Sequence, residues 1–163
     1  PRSTLDRSSA ASVVYKSQNY LYGAVDNFDL NNSHVLPALI VKAHAAKITT
    51  QSSIQIWGTG LPLREFMHVD DLADALVHLL KTYSGLTHIN IGSGEEISIH
   101  ELAQSVADTV GFNGEFVFDS SKPDGVMHKL LDATRMNKLD WAPSIHLKEG
   151  LESTYKWYLQ KIV

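Results

Sequence analysis

Apolar residues recur along the chain with two different spacings. A spacing of two residues is typical of a half-buried strand, whereas spacings of three and four are typical of an amphipathic helix. The two-residue spacing predicts strands at Tyr15–Tyr22, Ser53–Trp57, Arg64–His68, Ile89–Ile91, Glu115–Phe118 and Lys129–Asp132. Three of these segments stop at a glycine, as strands that lead into tight turns often do.

Helical spacing fills most of the intervals between these strands. Asp70 is expected to cap a helix whose apolar stripe comprises Val69, Leu72, Ala73, Leu76, Val77 and Leu80. Ser98 and Glu101 form a capping box that opens another helix, which Gly111 ends. Further helical segments are predicted from Val35 to Ala43, from Ala133 to Leu139 and from Leu147 to Gln160. Strands that alternate with helices predict an α/β fold containing at least part of a parallel sheet.

Composition excludes several classes of function. The chain has 163 residues, no cysteine, 14 Lys and Arg, and 18 Asp and Glu, so its formal net charge is −4. Without cysteine it has no disulfide, thiolate zinc site or Fe–S cluster of its own. A weakly acidic chain with no basic block lacks the electrostatic signature of a nucleic-acid partner. Its apolar stretches are too short for a membrane helix, and residues 1–16 are expected to form a polar segment without a secretion signal.

Gly92-Ser93-Gly94 follows a predicted strand, where the phosphate loop of a dinucleotide site would stand. The third glycine of that fingerprint is absent, because Ile97 occupies its place. No acidic residue follows at the spacing that grips a ribose. A tight turn that needs small residues therefore explains the two glycines better than a cofactor loop does.

Two catalytic patterns are also absent from the sequence. Short-chain dehydrogenases pair a tyrosine with a lysine four residues on, and none of the six tyrosines has that lysine. None of the eight histidines has another histidine four residues away, so no metal site is predicted.

Several single side chains have the chemistry of a sugar-nucleotide site. Arg64, Lys122 and Lys129 would suit a diphosphate, and Trp57 at a strand end would suit an aromatic wall. A structural ion pair and a core tryptophan explain the same residues equally well. His34 follows a polar loop and begins a helix. It could therefore face a cleft and act on a ligand, or it could be a histidine without a function.

Longer stretches of the sequence match one family. They run from Tyr22 to Phe28, from Asn32 to Leu39, from Trp57 to Ala73, from Asn90 to Ser98, from Phe118 to Gly125 and from Glu149 to Trp157. Together they resemble the GDP-L-fucose synthases, which are extended short-chain dehydrogenases. The resemblance is continuous from about Leu21 to the C-terminus.

The resemblance implies an NADP-dependent epimerase and reductase that converts GDP-4-keto-6-deoxy-D-mannose to GDP-L-fucose in the cytoplasm, usually as a homodimer. In such enzymes the NADP loop and the Ser/Tyr/Lys set belong to the N-terminal half. This chain resembles only the C-terminal half. We therefore expect residues 17–163 to form the GDP-sugar-binding substrate lobe with partial Rossmann strands, without the NADP loop and inactive alone.

The resemblance also implies roles for individual residues. His34 matches the histidine that acts as the acid in epimerisation, a task that suits a side chain able to exchange protons near neutral pH. The residues that match the lining of the GDP-sugar and its phosphates are Lys42, Trp57, Arg64, Asp124 and Lys129. Leu21 adjoins a Pro-Thr-Asn segment that touches NADP in the family, but this chain has Gln18-Asn19-Tyr20 there.

Rossmann strands without the rest of their sheet would expose an unpaired edge and apolar faces. We therefore expect the chain to form a homo-oligomer or to bind a complementing chain that carries a Rossmann half. Three functions are consistent with the sequence: a GDP-sugar-binding lobe that is inactive alone, one chain of a split enzyme, and a structural or interaction domain that has lost ligand binding.

Overall fold

The computed structural model describes residues 20–162. In chain order the elements are β1 (Tyr20–Tyr22), α1 (Val35–Ile48), β2 (Ser53–Trp57), β3 (Leu63–His68), α2 (Val69–Thr82), β4 (Glu96–Ser98), α3 (Ile99–Val110), β5 (Glu115–Asp119), α4 (Thr134–Asn137) and α5 (Leu147–Lys161). This order confirms the predicted α/β class. The predicted polar segment 1–16, and the first part of the predicted strand Tyr15–Tyr22, lie outside the described residues.

The described strands form two small sheets. In the first sheet β3 lies between β1, which is parallel to it, and β4, which is antiparallel. Tyr20 lies opposite Phe66, and Tyr22 lies opposite His68. The second sheet is the parallel pair of β2 and β5. Parallel pairs need long crossover connections, and the intervening helices supply them.

Both sheets contribute to one main core, together with α1, α3 and α5. Its most deeply buried apolar residues include Tyr22, Leu36, Ile40, Ala43, Leu102, Val106 and Leu151. Gly150 brings α5 close to β1, because a Cβ at this position would overlap the phenol oxygen of Tyr22. Burial, and then the charge of Asp71, raise the pKa of Tyr22, so this phenol stays neutral in the core.

A smaller core lies on the opposite face of the first sheet. Successive residues of a strand face opposite sides, so Met67 points away from the main core and packs with Ala75, Met136 and Trp141. Half-buried Leu72, Leu79, Ile89 and Ile91 complete this second core.

Polar side chains of α2 hold the segment 139–145 against the helix. The buried carboxylate of Asp71 accepts two backbone N–H groups of that segment, at 3.0 and 3.1 Å. Asp74 accepts the indole N–H of Trp141 at 2.8 Å, and His78 donates from Nε2 to a carbonyl of the segment at 2.7 Å. These bonds fix the rotation of α2 about its own axis.

Glu65 is fully buried on β3 and organises two loops. Its carboxylate accepts the N–H of Gly94 at 2.8 Å, the N–H of Leu131 at 3.1 Å and the hydroxyl of Ser93 at 3.4 Å. A buried carboxylate is costly unless donors surround it, so these bonds hold both loops to the strand. A Cβ at Gly92 would lie 2.5 Å from Glu65 Oε1, which explains the small residue there.

Two predicted strands are wrong. Ile89–Ile91 and Lys129–Asp132 lie outside the helices and strands, whereas Glu96–Ser98 is a strand that the pattern did not predict. The two isoleucines of the first segment pack on the second core. Their alternation in the sequence therefore reflects burial of one side of a segment that lies outside the helices and strands. In the second segment, Leu131 gives its N–H to the side chain of Glu65 instead of to a neighbouring strand.

The predicted cap of α2 is wrong by two residues. His68 is the N-cap, and its Nδ1 accepts the N–H of Asp70 at 3.3 Å. Asp70 lies in the first turn, where its charge complements the positive end of the helix dipole.

Of the predicted apolar stripe of α2, Leu72 packs on the second core, but most of the stripe does not lie on the buried side. Asp71 and Ala75 are buried, whereas Leu76, Val77 and Leu80 are exposed. The hydrogen bonds to the segment 139–145 and the second core together decide which side of the helix faces inward. The apolar flank is left at the surface.

The predicted capping box of α3 is confirmed, whereas α5 begins without a side-chain cap. Ser98 and Glu101 exchange side-chain and backbone hydrogen bonds, and Gly111 ends α3 in the left-handed conformation with φ +77°. At the start of α5 the N-cap is His146, whose side chain makes no capping hydrogen bond.

A serine at this position is expected to stabilise the protein. In His146→Ser the new hydroxyl accepts a backbone N–H of the first turn, so the free energy of unfolding should rise by about 1 kcal/mol. Urea denaturation measures it. His146→Ala is the matched control and should change stability by less than about 0.5 kcal/mol. Equal stability of the two variants would contradict the capping argument.

Replacing the buried carboxylate is expected to have the opposite effect. Glu65→Gln places an amide N–H₂ group against N–H donors, so the free energy of unfolding should fall by roughly 2–3 kcal/mol. The exposed Glu95→Gln controls for the loss of one charge and should stay within about 0.5 kcal/mol of the unmodified chain. A Glu65→Gln protein as stable as the control would show that the carboxylate does not hold the loops.

Candidate functional site

The end of β2 presents a tryptophan beside a loop. Trp57 is the last residue of the strand, and its side chain is 68% exposed. The ammonium of Lys122 lies 5.5 Å from the centre of the indole, within the range of a cation–π contact. An exposed indole with a cation beside it is suited to stack on a planar base that carries a phosphate.

The site loop, residues 119–127, closes onto the turn that follows Trp57. The carboxylate of Asp124 accepts the N–H of Thr59 at 2.9 Å and its hydroxyl at 2.6 Å. These hydrogen bonds, helped by the charge of Arg64, hold the pKa of Asp124 below its usual value. Gly58 permits the contact, because a Cβ there would overlap the carboxylate.

Arg64 lies under the same loop and is only 7% exposed. Its Nη1 donates to the carbonyls of Leu63 and Val126, each at 2.6 Å. Its Nη2 lies against Gly125, where a Cβ would be 2.8 Å away. The site loop therefore contacts both the turn after β2 and the guanidinium on β3.

Trp57, Arg64 and Asp124 are thus brought together by one loop. They come from two different sheets and from a segment that lies about 60 residues further along the chain. All three residues therefore border or belong to the site loop.

A continuous face leads from Arg64 to His34. Phe66 lies two residues beyond Arg64 and faces the same side of β3. The ring of Tyr20 is centred 5.7 Å from Phe66 and 5.7 Å from His34. The ammonium of Lys129 lies 5.0 Å from the centre of the same Tyr20 ring. Tyr20 therefore connects the predicted phosphate-side lysine with the predicted acid.

Helix α1 supplies two of the predicted residues. His34 is its N-cap and is exposed, and its imidazole makes no capping hydrogen bond. Lys42 lies eight residues further on, along the same stripe of the helix. Its Nζ donates to the carbonyl of Gln55 at 2.9 Å, two residues before Trp57, and burial lowers the pKa of Lys42.

Comparison with known proteins identifies the family of the chain. Residues 8–92, just over half of the chain, match the model of the NAD dependent epimerase/dehydratase family. The chain belongs to this family. Five of the predicted site residues of this epimerase-family chain lie in the matched region, namely Leu21, His34, Lys42, Trp57 and Arg64.

Two curated relatives of this family member have more specific names. The chain is 54% identical over 143 residues to the probable GDP-L-fucose synthase 1 of Oryza sativa subsp. japonica, and 47% identical over 149 residues to the GDP-L-fucose synthase of Escherichia coli (strain K12). These alignments cover 88% and 86% of the chain, but only 44% and 46% of the relatives. The chain therefore spans about half the length of these relatives and matches their C-terminal part.

A solved structure shows the same fold. The GDP-L-fucose synthetase of Naegleria fowleri bound to NADP superposes with a TM-score of 0.82 at 30% identity, over 88% of this chain and 45% of that one. The match confirms the predicted fold, a lobe of an extended short-chain dehydrogenase with partial Rossmann strands.

The turn Gly92–Gly94 of this epimerase-family chain is poorly suited to hold a phosphate of NADP. In the turn Gly92–Gly94 the N–H of Gly94 is already donated to Glu65. That carboxylate takes the donor a phosphate would need and would also repel it. Leu21 lies opposite Met67 on the far side of β1 from Tyr20, so the structure does not bring it together with the other predicted site residues.

Sequence reasoning missed two residues of the site. Thr59 anchors the site loop, and its signal is a hydroxyl residue placed between Gly58 and Gly60. Tyr20 joins His34 and Lys129 and stands where the resembled family has asparagine, so only the folded contacts identify it.

Two further kinds of site are absent from residues 20–162. No three His, Asp or Glu residues in this range are grouped so that they could hold a metal ion. No helix in the same range combines the length and the apolar character needed to span a bilayer.

The hydrogen bonds between Thr59 and Asp124 lead to a testable prediction about the protonation of Asp124. In Thr59→Ala one of the two hydrogen bonds to Asp124 is lost, so the pKa of Asp124 should rise toward the usual value of an aspartate. An NMR titration of the side-chain carboxyls measures it. Because the pKa is lowered in the folded chain, the anchor is complete at neutral pH and is lost as the pH falls through the lowered value.

Thr87→Ala is the control for this titration, because Thr87 bonds Tyr83 and not the site loop. An Asp124 titration that is the same in both variants would contradict the proposed anchor.

Proposed function

We propose that this chain is the GDP-sugar-binding lobe of a GDP-L-fucose synthase-like protein. The observation that carries the proposal is the convergence of Trp57, Arg64 and Asp124 through the site loop. Close relatives that share the lobe are named GDP-L-fucose synthases, which supports a guanosine diphosphate sugar as the ligand.

Each group has a separate task in binding. The guanidinium of Arg64 and the ammonium groups of Lys42 and Lys129 offer positive charge to a diphosphate. The indole of Trp57 offers a flat apolar surface to a base. Asp124 anchors the site loop, whose Val126 carbonyl accepts a hydrogen bond from Arg64, so its role is to position Arg64 as well as to meet hydroxyl groups of the ligand.

His34 would transfer a proton at the sugar end of the ligand. Its imidazole is free of capping bonds and packs edge-on against Tyr20, at the other end of the face that begins at Arg64. A histidine at such a position would deliver a proton to a sugar carbon during epimerisation. This assignment rests on the resemblance of the Asn32-Ser33-His34-Val35 block.

The 163 residues alone are expected to bind the sugar nucleotide without reducing it. None of the tyrosines has the partner lysine, and in the Gly92–Gly94 turn the N–H of Gly94 is already donated to Glu65. By resemblance, NADP would be held by the N-terminal half of such an enzyme, which this chain does not match. A cytoplasmic location of the protein also stays a prediction.

Calorimetry with GDP-L-fucose, GDP and UDP-glucose tests the proposal directly. We expect saturable heat with the two guanosine ligands and a weaker response with UDP-glucose. Absence of saturable heat up to about 1 mM, where binding would be worth only about −4 kcal/mol, would reject the proposal and favour a lobe that has lost ligand binding.

Two substitutions locate the ligand. Arg64→Lys keeps the charge and loses the two-pronged donor, and Trp57→Ala removes the stacking surface. Each should weaken GDP-L-fucose binding roughly tenfold or more, because a charge-assisted bond or a stacked base contributes about 1–3 kcal/mol. Arg135→Lys and Leu86→Ala are matched controls at exposed positions away from the site and should leave the affinity unchanged. Equal losses in the site variants and the controls would place the ligand elsewhere.

A further inference from the structure

Tyr20 on β1 lies at the centre of the face that runs from Arg64 to His34. The imidazole of His34 meets its ring edge-on, with 5.7 Å between the ring centres and 78° between the planes. The ring of Phe66, on the neighbouring strand, lies at the same distance and is tilted by 38°. Two flanking rings therefore hold the phenol ring of Tyr20 in one orientation.

The ammonium of Lys129 shows which way this ring faces. It lies over the face of the Tyr20 ring, 5.0 Å from the ring centre. A lysine ammonium keeps contact with water, because burying an unpaired charge is costly. The ring face beneath it therefore opens toward the candidate site and not into the main core. In agreement with this, Tyr20 is only half-buried.

The contact between Lys129 and the ring is one that a ligand can displace. The backbone N–H of Lys129 is held by the carboxylate of Glu96 at 3.1 Å, so only the side chain needs to change partner. A diphosphate is the stronger partner, because a charge-assisted hydrogen bond outweighs an exposed cation–π contact. Binding of a diphosphate would therefore draw the ammonium away and uncover the face of the Tyr20 ring.

The uncovered ring lies where the sugar of the ligand is expected. Lys129 is the residue on the phosphate side, and His34 is the residue that would reach a sugar carbon. A hexose attached to the diphosphate must span the distance between them, and Tyr20 contacts both residues. The ring thus lies beneath the path of the hexose.

An aromatic ring at this position is a feature of this chain and not of the family that it resembles. That family has asparagine where this chain has Tyr20. An amide offers hydrogen bonds to a ligand, whereas a phenol ring offers a flat apolar surface with a negative face. The substitution therefore changes the kind of ligand group that this position can hold.

We propose that Tyr20 is the stacking surface for the hexose, and that it makes this lobe prefer a deoxyhexose nucleotide to the bare nucleotide. One face of a fucose ring carries several C–H groups next to the C6 methyl. Such a face is apolar and slightly positive, so it packs well on an aromatic ring. The proposal rests on the proposed function, because it assigns a residue of the same sugar-nucleotide site.

Calorimetry with GDP-L-fucose and with GDP separates the sugar from the nucleotide. In Tyr20→Leu the affinity for GDP-L-fucose should fall about fivefold to tenfold, because an apolar side chain remains but the aromatic face is lost. The affinity for GDP should not fall. Tyr20→Phe keeps the ring and should bind both ligands as the unmodified chain does.

A matched control and a direct contact measurement complete the test. Tyr83 lies in another part of the lobe and bonds Thr87, so Tyr83→Leu should change neither affinity. In NMR spectra of the complex we expect a nuclear Overhauser effect between the C6 methyl of GDP-L-fucose and the ring protons of Tyr20. That signal is absent by design from Tyr20→Leu, which identifies it.

Three results would overturn the role of Tyr20 and leave the sugar-nucleotide site in place. The first is an equal loss of both ligands in Tyr20→Leu, which would make the tyrosine a purely structural residue. The second is an unchanged affinity of that variant for GDP-L-fucose. The third is a bound sugar without any Overhauser effect to the ring. If the unmodified chain gives no saturable heat with either ligand, the proposed function itself is rejected, and the role of Tyr20 is rejected with it.

Discussion

The buried carboxylate of Glu65 is the constraint on which this lobe depends. Neighbouring residues of a strand face opposite ways, so β3 presents Arg64 to the candidate site and Glu65 to the other side. A charge at zero exposure must be surrounded by donors, and the donors come from the backbone of the loops near positions 94 and 131. The strand that carries the site guanidinium is thereby fixed from behind. Lys129, two residues before Leu131, donates its own N–H to the carboxylate of Glu96 at 3.1 Å.

Local signals in the sequence were sufficient for much of the fold. Strand β2 alternates cleanly and ends where a glycine follows, and the Ser98 to Glu101 capping box begins α3. These features depend on residues within one turn or one strand, so the chain can specify them without reference to distant parts. For the candidate site, local sequence signals predicted only the strand ends and turns, and the family resemblance supplied the individual residues.

Contacts between distant segments account for the rest. β4 is too short to show a period and exists because it pairs with β3. The inward side of α2 is decided by Asp71 and the segment about 70 residues later, which no helical periodicity reveals. In the site, the bond between Thr59 and Asp124 spans 65 residues, and the ring contacts of Tyr20 involve three separate elements. Spacing along the chain carries no information about such pairs.

The contact between Gly150 and Tyr22 has a consequence for the far end of the chain. With no side chain on the glycine, α5 rests directly on the phenol that closes the main core beneath β1. Tyr22 stands on the same strand as Tyr20, which supports His34. Truncation or a tag within the 15 residues of α5 therefore disturbs the packing beneath β1 and Tyr20, which lie more than 100 positions earlier in the sequence.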